Sequence, residues 1–138
     1  MFRIILVEDD KAIALLLEIN LRKRGYTEVE VASTLEEAKG LFEKFGSNPF
    51  HLAIVDMTLR KGDGELDPEA GIIFCGLLRS NERTQHIPII TTSAYADNEQ
   101  ELRLRQYSLY HFSKPLNIRG LLEAVVALLP LTTGGEAE

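Results

Sequence analysis

Five short strand-like runs, separated by stretches of helical periodicity, leave this chain few folds to choose from. The runs cover residues 3–7, 28–32, 51–55, 88–92 and 109–112, each of strand length. Strands alternating with helices along a chain are the pattern of an α/β fold with a parallel sheet. Two of the runs end on acids. Ile4-Ile5-Leu6-Val7 closes with Glu8-Asp9-Asp10, and Leu52-Ala53-Ile54-Val55 closes with Asp56. Parallel strands that stop in this way bring their C-terminal ends to one edge of a sheet, where open α/β sheets bind ligands.

The helical stretches show buried faces. The first carries Ile13, Leu16, Leu17 and Leu21 on one side and ends near Gly25. The second opens at Ser33 or Thr34, since Ser33 with Glu36 and Thr34 with Glu37 both fit a capping box. Its stripe is Leu35, Ala38, Leu41, Phe42 and Phe45, and Gly46 stops it. The third runs from about Gly71 to Ser80 and is expected to bury Ile73, Phe74, Leu77 and Leu78. Asn117 caps the last, which turns Ile118, Leu121, Leu122, Val125 and Leu129 inward. The fourth, residues 97–106, offers only Leu102 as an anchor, with Leu104 on another face. It is either a moving part or simply an exposed helix.

A length of 138 residues suits one domain that buries about two thirds of its unfolded surface, taken here as residues 1–130 with a flexible tail at 131–138. On this reading no output domain is expected within the chain. The net charge of −6 argues against broad binding to a nucleic-acid backbone. No apolar run approaches the roughly 18 residues of a membrane span. The run after Arg3 is too short for a signal peptide, and acids end it. The single cysteine, Cys75, permits no internal disulfide, which fits a reducing cytoplasm, and its apolar surroundings read as core packing.

The acids carry a chemical expectation of their own. Two carboxylates about 4 Å apart cost roughly 4 kcal/mol at an effective dielectric of about 20, a cost that a hard divalent cation relieves. Mg²⁺ prefers oxygen ligands, and beside a carboxylate it suits phosphoryl transfer. Glu8, Asp9 and Asp56 are therefore read as a metal site, against the plain alternative of solvated surface acids. Asp56 could attack phosphorus and become an aspartyl phosphate. Ser93, after the fourth run, offers a hydroxyl to a phosphate oxygen, and Lys114, after the fifth, offers a point charge. Pro115 restricts the lysine backbone and is a candidate for a cis bond. Each signal is weak alone. All of them in order, each at a strand end, make a specific pattern.

On these residues the chain closely resembles the receiver domain of bacterial two-component response regulators, in particular the single-domain, chemotaxis-regulator-like kind, over residues 2 to about 130. The family's acidic pair maps onto Glu8 and Asp9, its phosphoacceptor onto Asp56, its Ser/Thr-Ala pair onto Ser93-Ala94 and its Lys-Pro onto Lys114-Pro115. The resemblance implies a flavodoxin-like (βα)5 doubly wound parallel sheet with strand order 2-1-3-4-5. It implies Mg²⁺ held by Asp9, Asp56 and the backbone carbonyl of Thr58, with Glu8 acting through water. Asp10 is then assigned to the turn or the helix N-terminus. The implied function is that of a cytoplasmic single-domain regulator rather than an enzyme. A sensor histidine kinase or histidine phosphotransfer protein would phosphorylate Asp56, and Ser93 and Lys114 would hold the phosphate. Output would be protein contacts of the face formed by the fourth helix, fifth strand and last helix, with an unknown downstream target, no nucleic acid and no membrane insertion.

Two departures from the family stand out. Arg60 occupies the place where a proline is expected, and Gly71 rather than Gly64 matches the helix-opening glycine, so the preceding loop is roughly seven residues longer than usual. The insert, residues 61–70, carries acids at 63, 65, 67 and 69, a spacing that hints at calcium without the register of an EF-hand. It is read chiefly as a solvated loop over the site, affecting partner choice or phosphate lifetime. The second departure is His111, where the family places the switch aromatic. It either makes the same inward swing as part of a switch with Ser93 or is a partly exposed histidine with no such role. Tyr107 and Tyr110 beside it are expected to be exposed and suited to binding. His51 and His86 are given no chemistry.

Other functions fit less well. An aspartyl-phosphate phosphohydrolase typically has a second aspartate two residues after its nucleophile, where this chain has Thr58. A flavin or nucleotide module would follow the first strand with a phosphate loop rather than three acids. A relay intermediate and a phosphorylation-independent scaffold remain as alternatives within the resemblance.

Overall fold

The computed structural model describes residues 2–46, 50–61, 63–94 and 98–131, with the backbone alone at 98, 100, 101 and 104. The elements are β1 (Arg3–Val7), α1 (Lys11–Lys23), β2 (Glu28–Ala32), α2 (Leu35–Lys44), β3 (Leu52–Asp56), β4 (Leu59–Arg60), β5 (Leu66–Asp67), α3 (Ala70–Ser80), β6 (Ile89–Ser93), α4 (Asn98–Arg105), β7 (Tyr110–Ser113) and α5 (Ile118–Leu128). Five strands pair in parallel in the order β2-β1-β3-β6-β7. With the short β4–β5 pair set aside, this is the 2-1-3-4-5 order of a flavodoxin-like fold, as the resemblance implies.

The sheet explains the continuous apolar runs. Ile4, Leu6, Leu52, Ile54 and Ile90 face one core with α1 and α5. Ile5, Val7, Ala53, Val55 and Ile89 face a second core with α2 and α3. Side chains alternate between faces with period two, and because both faces of the central strands β1 and β3 are covered, both parities there are apolar up to the strand ends. The chain winds in opposite directions from β1 and β3, which leaves a crevice beyond their C-terminal ends.

Side chains cap the helices where the sequence offers them. Asp10 accepts the Ala12 and Ile13 N–H groups at 3.0 and 3.1 Å and so opens α1. Thr34, rather than Ser33, caps α2: its hydroxyl accepts from the Glu37 N–H at 3.1 Å. Glu37 turns back to the Ser33 N–H and hydroxyl at 2.8 and 2.9 Å, one residue upstream of the cap. Asn117 accepts from Gly120 N–H at 3.0 Å and opens α5.

Three expected anchors lie outside the core. In α1, Ala14, Leu17 and Leu21 are buried while Leu16 is 47% exposed. In α3, Gly71 rests on the backbone after β3 and so fixes the helix rotation. Phe74, Cys75 and Leu78 then point inward with it, and Ile73 is 45% exposed. Leu102 of α4 is 64% exposed, so the fourth helix lacks the apolar anchor assigned to it. Tyr107 is half-buried against Met57 and Ile72 rather than exposed. Cys75 is fully buried, and burial pushes its thiol up to about 12, which leaves it an inert core group. Leu131 packs on the α1–α5 core, and residues 132–138 of the expected tail lie outside the described residues. So does the side chain of Leu104.

Candidate functional site: an acidic crevice at the strand ends

Strand register brings the acids together. Val7 pairs with Val55, so Glu8 and Asp56, each the next residue, leave the sheet side by side. Oxygens of Glu8, Asp9 and Asp56 lie within 4.8 Å of one another, with Glu8 and Asp56 buried and Asp9 half-buried. Lys114 comes in from the end of β7. Its Nζ stands 2.9 Å from Asp56 Oδ2 and 3.0 and 3.1 Å from the two Glu8 oxygens. Asp10 donates its N–H to Glu8 Oε2 at 3.1 Å while its side chain caps α1.

Proton affinities follow from this crowding. Burial first, and the charge of Asp56 second, push the Glu8 carboxyl up to about 8, against the pull of the Asp10 N–H and Lys114. Burial also raises Asp56, opposed chiefly by its hydrogen bond and attraction to Lys114. Burial alone would depress Lys114, but its bond and attraction to Asp56, and then to Glu8, leave it above the ordinary lysine value. Two buried acids sharing one ammonium and crowded by a third acid are short of positive charge. All the donors at this point are oxygens in carboxylates, which suits a hard cation.

The backbone carrying Asp56 is clamped from two sides. Met57 donates its N–H to Thr92 O at 2.9 Å, and Gly71 donates to Met57 O at 2.9 Å. A Cβ on Gly71 would press on the Asp56 carbonyl oxygen and come 2.7 Å from Met57 Cα. Only glycine permits that approach. Thr58 and Arg60 line the crevice with Asp9, Asp56 and Lys114 around a volume of about 630 Å³.

The insert is a hairpin rather than an open loop. Leu59 pairs with Asp67 and Arg60 with Leu66 in antiparallel register. Lys61 N–H donates to Glu65 O at 2.7 Å, and Gly64 turns the chain at φ 91°. Leu59 is buried and anchors β4, while Arg60 is exposed. The acids serve the turns: Asp63 accepts the Glu65 N–H and Asp67 the Glu69 N–H, both at 3.0 Å. Among the described residues, Glu8, Asp9 and Asp56 are the one group of three or more metal-capable side chains, so the calcium hint in the insert finds no support. The hairpin is tied at both ends. Arg60 donates its N–H to Asp9 Oδ2 at 3.1 Å, and Glu69 pairs with Arg103 of α4 at 2.7 Å.

Ser93 and His111 meet behind the acids. His111 Nε2 lies 3.0 Å from Ser93 Oγ, and its Nδ1 lies 2.7 Å from Thr91 Oγ1. Lys114 N–H donates to Ser93 O at 2.7 Å, and the Lys114–Pro115 peptide is cis. His51 and His86 stand apart from this site, and His51 accepts the Arg3 N–H at 2.9 Å. The sequence reading missed Arg60 as a partner of Asp9 and Thr91 as a partner of His111. Arg60 was visible only as a departure from the proline expected there, and Thr91 read as one more strand residue.

The model of the response regulator receiver domain matches residues 4–126. The chain belongs to the response regulator receiver domain family. This receiver domain is 30% identical to the response regulator receiver domain protein (CheY-like) from Methanospirillum hungatei JF-1, with a TM-score of 0.73, covering 92% of each chain. It is 27% identical to the non-phosphorylated HemR receiver domain from Leptospira biflexa, with a TM-score of 0.75, covering 96% of this chain and 97% of that one. Among curated proteins it is 30% identical, over 131 residues, to the DNA-binding dual master transcriptional regulator RpaA of Synechocystis sp.. That match covers 94% of this chain and 50% of RpaA. The receiver domain therefore spans about half the length of the curated relatives it matches. Among its described residues, no helix is long and apolar enough to cross a membrane.

Proposed function

We propose that this receiver domain takes a phosphoryl group onto Asp56, from a sensor histidine kinase or a histidine phosphotransfer protein, in a Mg²⁺-dependent reaction. The observation that carries the reading is Lys114 Nζ at 2.9 Å from Asp56, within a cluster of three acids at the sheet edge. Asp9 and Asp56 would hold the metal through carboxylate oxygens, Thr58 through its backbone carbonyl and Glu8 through water. When bound, Mg²⁺ supplies the charge neutralisation that lets an anionic phosphoryl group approach anionic carboxylates. An Asp56 oxygen attacks phosphorus, the new O–P bond forms, and the P–N bond to the donor imidazole breaks. Lys114, already shared between Asp56 and Glu8, then turns to a phosphoryl oxygen, and the Ser93 hydroxyl donates to another.

The signal leaves through protein contacts of α4, β7 and α5, where Leu102, Tyr110 and Val126 are exposed. Residues 1–130 act as the receiver unit, in the cytoplasm, and the domain assists its own phosphorylation and dephosphorylation without turning over a small substrate. Incubation with acetyl phosphate tests the metal dependence. Phosphorylation is expected with Mg²⁺ and its loss with EDTA, and phosphorylation undiminished by EDTA would refute the reading.

A further inference from the structure

β6 and β7 run in parallel register, with Thr91 opposite His111 and Ser93 opposite Ser113. One imidazole therefore faces two hydroxyls that stand two residues apart on the same side of β6. The ring spans them, with 2.7 Å from Nδ1 to Thr91 Oγ1 and 3.0 Å from Nε2 to Ser93 Oγ. Both hydroxyl residues are buried, Thr91 completely and Ser93 to within 2%. A neutral imidazole has one N–H and one lone pair, and each hydroxyl has one proton to give. The same heavy-atom positions therefore accommodate two proton orders. In the first, Nδ1–H donates to Thr91, and Ser93 donates to Nε2. In the second, Thr91 donates to Nδ1, and Nε2–H donates to Ser93.

These orders differ in what Ser93 can do. In the first its only proton is committed to the ring. In the second the proton can turn to another acceptor, because the oxygen is being held from behind. We infer that Ser93, His111 and Thr91 form a two-state proton-order relay, in which holding a phosphoryl oxygen on Asp56 selects the Nε2–H tautomer of His111. The inference rests on the reading that Ser93 holds that oxygen. Protons balance: each hydroxyl rotates and keeps its own, while the half-buried ring exchanges its Nδ1 proton for one at Nε2 through solvent. Thr91 never touches the phosphoryl group. It is a positioning residue, accepting in one order and donating in the other.

The ring nitrogens can be read by ¹⁵N NMR at neutral pH, with beryllofluoride and Mg²⁺ as the probe of the phosphorylated form. The Nε2–H tautomer of His111 is expected to become dominant when the probe binds. A ring already fully in that tautomer beforehand, one that keeps Nδ1–H afterwards, or one doubly protonated in both forms would overturn the relay. Thr91→Val, nearly isosteric, supplies a second arm. The variant replaces the Thr91 hydroxyl beside Nδ1 with a methyl group and so removes the acceptor that favours Nδ1–H in the first order, and it is expected to hold Nε2–H before and after the probe. A variant whose tautomer still changes as in the wild type would overturn the role of Thr91. If the probe leaves the amide signals around Asp56 unmoved, the phosphoacceptor reading itself fails, and the relay falls with it.

Discussion

At the scale of residues, the site is a balance between close approach and charge. Gly71 lets α3 lie against the backbone of Asp56 and Met57, with no room for a Cβ. Gly71→Ala is expected to cost about 1–3 kcal/mol of stability, the usual range for overpacking, and to slow phosphorylation of Asp56. Chemical denaturation checks the first effect, and an unchanged midpoint would remove the clamp from the account. Glu8 gives a pH dependence. Burial and the charge of Asp56 hold its proton up to about 8, against an ordinary 4.5. The folded state thus binds more protons than the unfolded chain between those values, and without divalent cation the Glu8 contribution to stability falls as pH rises across that window. Mg²⁺ competes with the proton for the same carboxylates, so its stabilising effect is expected to grow over the same range. Thermal unfolding of wild type and Glu8→Gln, with and without Mg²⁺, measures both trends. A wild type that gains stability with pH relative to Glu8→Gln, in the absence of divalent cation, would contradict the assignment.

At the scale of elements, the unusual part is the β4–β5 hairpin, which touches Asp9 through Arg60 and α4 through the Glu69–Arg103 pair. Removing residues 62–68 is expected to alter the rate of phosphotransfer or of dephosphorylation, since it dismantles a wall of the crevice. Phosphorylation time courses with the deletion variant decide it, and two unchanged rates would leave the hairpin without a role at the site. This element was hard to read in the sequence because its strands are two residues long, too short for period two to register. The large strands were legible for the opposite reason: β1 and β3 each hold four consecutive apolar residues before their acids, and β2 alternates valine with glutamate over a full five residues. Helix phase was less secure. In α1, Leu15, Leu16 and Leu17 are consecutive and only Leu17 is fully buried, a choice made by the sheet beneath. In α3, contact of Gly71 with the chain after β3, rather than apolar content, decides that Ile72 turns inward and Ile73 outward.

At the scale of the whole molecule, sheet order and the site share one cause. Parallel strands wound in opposite directions from the centre place every strand-end residue at the same edge, so the order of motifs along the chain already announced which side chains would meet. The sequence could not announce how they are shared: Lys114 between two acids, Arg60 on the third, and His111 between two hydroxyls. Those pairings depend on side-chain positions that only the assembled sheet sets. Asp56 as the phosphoacceptor is decided by intact-mass measurement after incubation with acetyl phosphate and Mg²⁺. One phosphoryl adduct on the wild type and none on Asp56→Asn is the expected result; an unmodified wild type, or an adduct that persists in Asp56→Asn, would contradict it.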